Sequence, residues 1–358
     1  MNRYTSSDAG RNYACRIREF IYRGHRCLTL ENEKIRVFIA ADKGADILEF
    51  LWKPLDLDVL WHAPQGLREA GPALQSSPLP GGDFREHFAG GWYEMLPNGP
   101  TPSAYKGAAW GFHGESTLLP WRLRIEKDEP EEISVALETR LLRIPLYVKK
   151  TFRLCSGSGT LRIEERIRNE SPEEAKFLWG QHPTVGWPFL EEGCRIYLPP
   201  CIAKTGPEQP LDARLKPNQV ANWPKMQLRD GSAVDVSVLP APEVGSHDFL
   251  RLEQLQEGWF AVVNPHHKLG WALRWDAKLF SVLGFWQLFR GGSGHPWYSR
   301  HYLAALEPIN ELLSLSEAVE RGTAFCLAGL DSIDTVWEAT AFSSPPDVKA
   351  VLPGGNIL

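Results

Sequence analysis

Apolar and polar residues alternate along most of this chain, in short runs broken by Gly, Asn, Ser and Pro turns. A period of two sends successive side chains to opposite faces, which marks half-buried strands and excludes long amphipathic helices. Residues 26–52, "RCLTLENEKIRVFIAADKGADILEFLW", read as two or three strands broken at Glu31-Asn32 and Lys43-Gly44. Residues 131–171 give three more, the last two joined by the "SGSG" turn at 156–159. Residues 258–275 form a hairpin turning at Asn264-Pro265-His266-His267, and further strands follow in 279–289 and 300–309. Helical spacing is confined to one short piece, Leu315–Arg321. Many strands, tight turns and few helices predict an antiparallel all-β architecture. No internal repeat is visible. Two stretches read as long loops, 64–83 and 290–298, and strand patterning resumes on either side of each. A single domain over 1–358 is therefore expected.

Charge and composition narrow the functions open to such a fold. The formal net charge is −5 and no basic run stands out, which excludes nucleic acid as a partner. No apolar stretch approaches the length of a membrane helix, and the polar N-terminal residues lack the apolar core of a secretion signal. The six cysteines are scattered without a C-x-x-C pair, so reduced thiols in a cytoplasmic protein are expected. The pI near 6.1 argues mildly against a strongly anionic ligand, although local charge overrides such an average. Fourteen tryptophans are more than an ordinary chain carries. Most suit a large β core, and the remainder suit a groove whose flat aromatic faces meet the C–H faces of sugar rings.

Four short stretches carry residues capable of chemistry. "FAGGWYEMLPNGP" (88–100) holds Trp92 and Glu94, and "WGFHGES" (110–116) sets His113 between glycine turns near Glu115. "FLWGQHPTVGWPF" (177–189) fixes His182 against a proline, which holds its backbone extended in an aromatic setting. "LAALEPIN" (303–310) ends an apolar strand on Glu307. Glu307 is either a strand-end carboxylate in solvent or a partly buried one kept ionised by a cationic neighbour such as a histidine. Glu86-His87 and His266-His267 each lack a third ligand, so no metal site is expected.

The order G-G-W-x-E-x-x-P (90–97), G-F-H-G-E (111–115), G-x-H-P (180–183) and a late E-P (307–308) resembles the aldose 1-epimerases, or galactose mutarotase-like proteins, across roughly residues 30–330. The resemblance implies an antiparallel β-supersandwich around an open cleft. It implies interconversion of α and β anomers of a small-molecule sugar without metal or organic cofactor. It assigns Glu307 as the base that takes the anomeric proton and His182 as the acid that protonates the ring oxygen. His113 matches the second histidine, which steadies the opening ring. Asp248 in "GSHDFLRL" matches the aspartate that holds sugar hydroxyls, with its neighbour His247 expected in solvent. The arginine of the early loop is replaced by no clean motif. Arg85 in "GGDFREHF" is the nearest match, and this departure leaves the sugar open, phosphorylated and oligomeric aldoses included. Glu94 lies in a motif and either contacts sugar or satisfies turn N–H groups, as does Glu115. Trp179, Trp187 and Trp297 are expected as cleft walls or core.

Two other classes of function compete. One is a non-catalytic sugar-binding or sensing protein that keeps the cleft. The other is a glycoside hydrolase or lyase, which requires two carboxylates facing one bond, and Glu307 has no obvious carboxylate counterpart.

Overall fold

Turn chemistry sets where the strands stop and also joins the two halves of the molecule. Asn32, fully buried, accepts the N–H groups of Lys34 and Ile35 at 2.8 Å and so closes its own turn. Its amide donates to the carbonyls of Cys155 and Ser158 at 2.7 Å, in the glycine–serine turn of a different sheet. The structure, a computed structural model, describes residues 11–71, 82–343 and 347–358.

Among the described residues one sheet has twelve strands and a second has eight, every strand pair antiparallel. The larger sheet begins with Arg16–Tyr22, His25–Glu31, Ile35–Ala40 and Asp46–Trp52 in succession. Its centre then runs Trp92–Met95, Gly180–Gly186, Tyr302–Ile309, Val282–Phe289 and Ser246–Glu253. The smaller sheet is centred on Leu269–Arg274, Ser332–Ser343, Thr160–Asn169 and Leu146–Cys155. Both turn an apolar face inward: Phe50 and Trp92 of the larger pack with Phe152, Ile163, Trp271 and Trp337 of the smaller. Burial of each such side chain contributes about 1.5–3 kcal/mol, so this layer holds the sheets together.

The opposite face of the larger sheet carries a separate aromatic cluster, with Trp61, Phe84, Phe88, Tyr93, Leu288 and Leu303. Two loops expected from the sequence behave differently there. Residues 72–81 of the first lie outside the described residues, and its end is the short helix Gly82–His87, which brings Phe84 and Arg85 over the sheet. The second delivers Trp297 to the same face. The helix expected after Leu315 spans Leu315–Glu320, with a capping box between Ser314 and Glu317. Glu307, expected at a strand end, lies inside Tyr302–Ile309 instead. No helix among the described residues is long and apolar enough to cross a membrane, and the six cysteines are free.

Candidate active site

Strand register assembles the site. Tyr93 pairs with His182 across Trp92–Met95 and Gly180–Gly186. Pairing of Gly180 with Ile309 and of Thr184 with Ala305 brackets His182 against Glu307. Glu307 in turn faces Gly284. Residues directly opposite in an antiparallel sheet share a face, so Tyr93, His182 and Glu307 form one row on the outer side. His182 Nε2 lies 3.1 Å from Glu307 Oε1, with the two side chains only 5% and 4% exposed. The other ring nitrogen, Nδ1, is 3.2 Å from the Thr184 hydroxyl. Gly284 leaves the room this needs: a Cβ there would stand 3.2 Å from Glu307 Oε2 and 3.3 Å from its Cβ.

Over this row opens a cavity of about 390 Å3. Phe84, Phe88, Tyr93, Phe112, Trp286 and Trp297 supply its apolar walls, and Arg85, His113, His182, His247 and Glu307 its polar groups. The mixture, mostly aromatic with a few convergent polar atoms, is that of a small-molecule site.

His113 sits on left-handed backbone at φ 63°, followed by Gly114 at φ 84°, a sharp turn that presents the imidazole to the cavity. Tyr93 OH and His113 Nδ1 are 2.7 Å apart. Burial, with the charges of His182 and Arg85, holds His113 well below the usual histidine range, so the ring is neutral. Burial and then the Glu307 charge push the Tyr93 phenol well up, so it keeps its hydrogen and donates it to Nδ1. The proton of the neutral ring is then on Nε2, which makes His113 a hydrogen-bond donor. His247 is fixed by the same logic. Trp286 Nε1 donates to its Nε2 at 2.8 Å, leaving the proton on Nδ1. Burial lowers its pKa, against the raising influence of Asp248 and Asp212. The site therefore offers one carboxylate, one imidazole bonded to it, two neutral imidazoles of set tautomer and one guanidinium.

Of the residues singled out in the sequence, Glu307, His182, His113, Arg85 and Trp297 meet at this cavity. Four do not. Glu94 is fully buried on the inner face, where its Oε1 accepts Trp179 Nε1 at 3.0 Å and its Oε2 lies 3.5 Å from Lys150 Nζ. Trp179 is fully buried with it in the core. Asp248 is also fully buried, accepting Arg214 Nε at 2.7 Å and the backbone N–H groups of Arg214 and Leu215 at 3.0 Å, which leaves it no path to a sugar. Trp187 is 72% exposed and outside the cavity lining. His247, expected in solvent, lines the cavity in place of Asp248 because the two are adjacent on one strand and must face oppositely. Tyr93 and Trp286 were not anticipated. The signal for Tyr93 was its place between Trp92 and Glu94, two residues it opposes across the pleat. Glu115 holds the backbone N–H and guanidinium of Arg143 at 3.0 and 2.9 Å, a structural role. Among the described residues no group of three or more His, Cys, Asp or Glu is placed to hold a metal ion.

The stacked sheets recur in solved proteins. A candidate aldose 1-epimerase from Klebsiella pneumoniae matches with a TM-score of 0.69 at 14% identity, over 95% of this chain and 86% of its own. A galactose mutarotase-like protein from Clostridium acetobutylicum matches with a TM-score of 0.63 at 15% identity, over 92% and 99%. At such identity the likeness is one of fold, and the fold is the galactose mutarotase-like antiparallel β-supersandwich. Residues 22–333 match the family described as "Domain of unknown function (DUF4432)", and the chain belongs to that family. No curated protein matches the sequence.

Proposed function

We propose that this protein is an isomerase of the aldose 1-epimerase type, interconverting the α and β anomers of an aldose by ring opening and closure. The observation that carries the reading is the 3.1 Å contact between His182 Nε2 and Glu307 Oε1 at the floor of an aromatic cavity. Ring opening removes the proton from the anomeric hydroxyl and delivers one to the ring oxygen. Those two oxygens share a carbon, so a base and an acid set side by side serve both. Glu307 takes the first proton while His182 gives the second. The aldehyde carbon then turns about its bond to the next carbon, and closure returns each proton to its donor. Each general acid or base contributes roughly 10²–10⁴-fold. His113, donating from Nε2, bonds the oxygen that gains charge on opening, and the aromatic walls take the C–H faces of the ring.

Polarimetry on freshly dissolved α-glucose, α-galactose and their 6-phosphates tests this, since equilibration should accelerate in proportion to added protein. Tight sugar binding without acceleration of any aldose would instead identify a sugar-binding protein. The room around Glu307 gives a second test. Gly284→Ala sets a methyl 3.2 Å from Glu307 Oε2, displacing the carboxylate by a fraction of an ångström. Turnover should fall by about 10- to 100-fold with little change in KM. Unchanged kcat would show that the position of Glu307 is not limiting.

A further inference from the structure

We infer that the substrate is an aldose bearing an anionic substituent, held in a second, cationic compartment that opens beside the first. The inference rests on the isomerase reading for the reaction but not for the binding.

The second cavity is about 600 Å3 and shares Arg85, Phe88, Pro296 and Trp297 with the first. The two therefore adjoin, with Arg85 bordering both. Among the described side chains, three guanidiniums, Arg68, Arg85 and Arg300, and one carboxylate, Glu86, line this part. Glu86 stands 3.6 Å from Arg68. Among the described residues neither Arg85 nor Arg300 has a carboxylate within ion-pair distance; each lies instead against a ring, Arg85 over Phe112 at 5.8 Å and Arg300 over Tyr298 at 5.8 Å. His301, in the same wall, is kept below the usual histidine range by burial and by the Arg300 charge, so it stays a neutral polar group.

This local excess of positive charge stands against a chain whose net charge is −5. Guanidinium groups bind oxyanions through paired N–H donors, and they do so most strongly where walls exclude water. Trp61 and Trp297 line this part, while Arg85 and Arg300 themselves stay exposed to solvent and free to meet a ligand. A neutral second sugar ring would strip water from these cations without replacing the lost hydrogen bonds by equally strong ones, which is costly. An aldose with its anomeric carbon over His182 and Glu307 directs its far end to the junction, where a phosphate ester or a carboxylate meets Arg85 and Arg300. Both are oxyanions, and the structure favours that shared chemistry.

The test compares anomerisation of glucose 6-phosphate, glucuronate, glucose and lactose by exchange NMR, with inorganic phosphate as competitor. At least one anionic sugar should exceed glucose in kcat/KM by roughly 10- to 100-fold, the worth of one or two charge-assisted contacts. Preference for the phosphate ester or for the uronate identifies which oxyanion is held. Arg300→Gln should collapse the ratio of anionic to neutral kcat/KM, and Arg300→Lys should restore part of it. Glucose or lactose handled as well as both anions, or a ratio unmoved by Arg300→Gln, overturns the subsite and leaves the isomerase reading standing. Should no aldose turn over, calorimetric binding decides: glucose 6-phosphate or glucuronate binding that weakens at least tenfold in Arg300→Gln upholds the subsite, and binding indifferent to Arg300 overturns it.

Discussion

Glu307→Gln should lower kcat for anomerisation by about 10²–10⁴-fold while sugar binding changes little. The amide keeps the volume of the carboxyl, and its oxygen still accepts a hydrogen bond from His182 Nε2, now 3.1 Å away. It has no affinity for the anomeric proton. The interaction lost is one made only as the ring opens, so kcat falls and KM does not rise with it. His182→Asn should produce a loss of the same order. A mild effect there would transfer the acid role to His113, whose Nε2 proton also faces this cavity. Saturation kinetics by exchange NMR, with calorimetric sugar affinity for each variant, separates these outcomes. Wild-type rates in Glu307→Gln would remove the carboxylate from the base role.

The strands were legible in the sequence wherever one face is buried and the other wet. Thr160–Asn169 alternates as expected, whereas Glu132–Arg140 is buried on both faces along its middle, and Asn32 ends a strand because its side chain closes a turn locally. The helix at Leu315 was legible from its spacing. What the sequence does not carry is the facing of strands covered on both sides. Every residue of Gly180–Gly186 and of Trp92–Met95 is buried, so no polar alternation says which residues look into the cavity.

Parity explains two of the four residues that miss the cavity. Glu94 and Asp248 are correct in strand and wrong in face, and their neighbours Tyr93 and His247 hold the cavity positions. Shifting attention by one residue moves a whole set of side chains to the opposite face. His182 and Glu307 escaped this error because chain order tied each to a motif. Their contact, however, depends on the pairing of Gly180 with Ile309, a register that no local pattern reveals. Arg300 and Arg68 were invisible as a cluster for the same reason, since one follows a loop and the other precedes the helix Gly82–His87.

Lys150→Met should destabilise the fold by about 3–5 kcal/mol near neutral pH, the cost of removing one partner from a buried ionic group. Lys150 Nζ lies 3.5 Å from both Glu94 Oε2 and Glu165 Oε1, between the two sheets and behind Tyr93 and His182. Glu165 Oε2 accepts Trp337 Nε1 at 2.8 Å and Gln181 Nε2 at 3.2 Å, and Gln181 in turn accepts Trp92 Nε1 at 2.8 Å. Burial and then the Glu94 charge push the Glu165 carboxyl well above the carboxylate range. Protonated Glu165, ionised Glu94 and charged Lys150 then make a neutral trio. A proton on Glu165 also serves the two carboxyl oxygens, Glu94 Oε2 and Glu165 Oε1, that otherwise have no hydrogen-bond partner. Glu165→Gln copies the neutral form and should cost less than about 1 kcal/mol. Without Lys150 the remaining negative charge has no counterion, and Glu165, having lost the influence that lowers its pKa, favours the proton in the folded state still more. A carboxyl whose folded pKa is raised weakens the fold increasingly as pH climbs above its unfolded value near 4.5. The deficit of Lys150→Met should therefore be larger at pH 8 than at pH 5.5, as read by urea unfolding of the variant and wild type side by side. Equal stability at pH 8, or a deficit that deepens in acid, would show that the trio is not charged in this way.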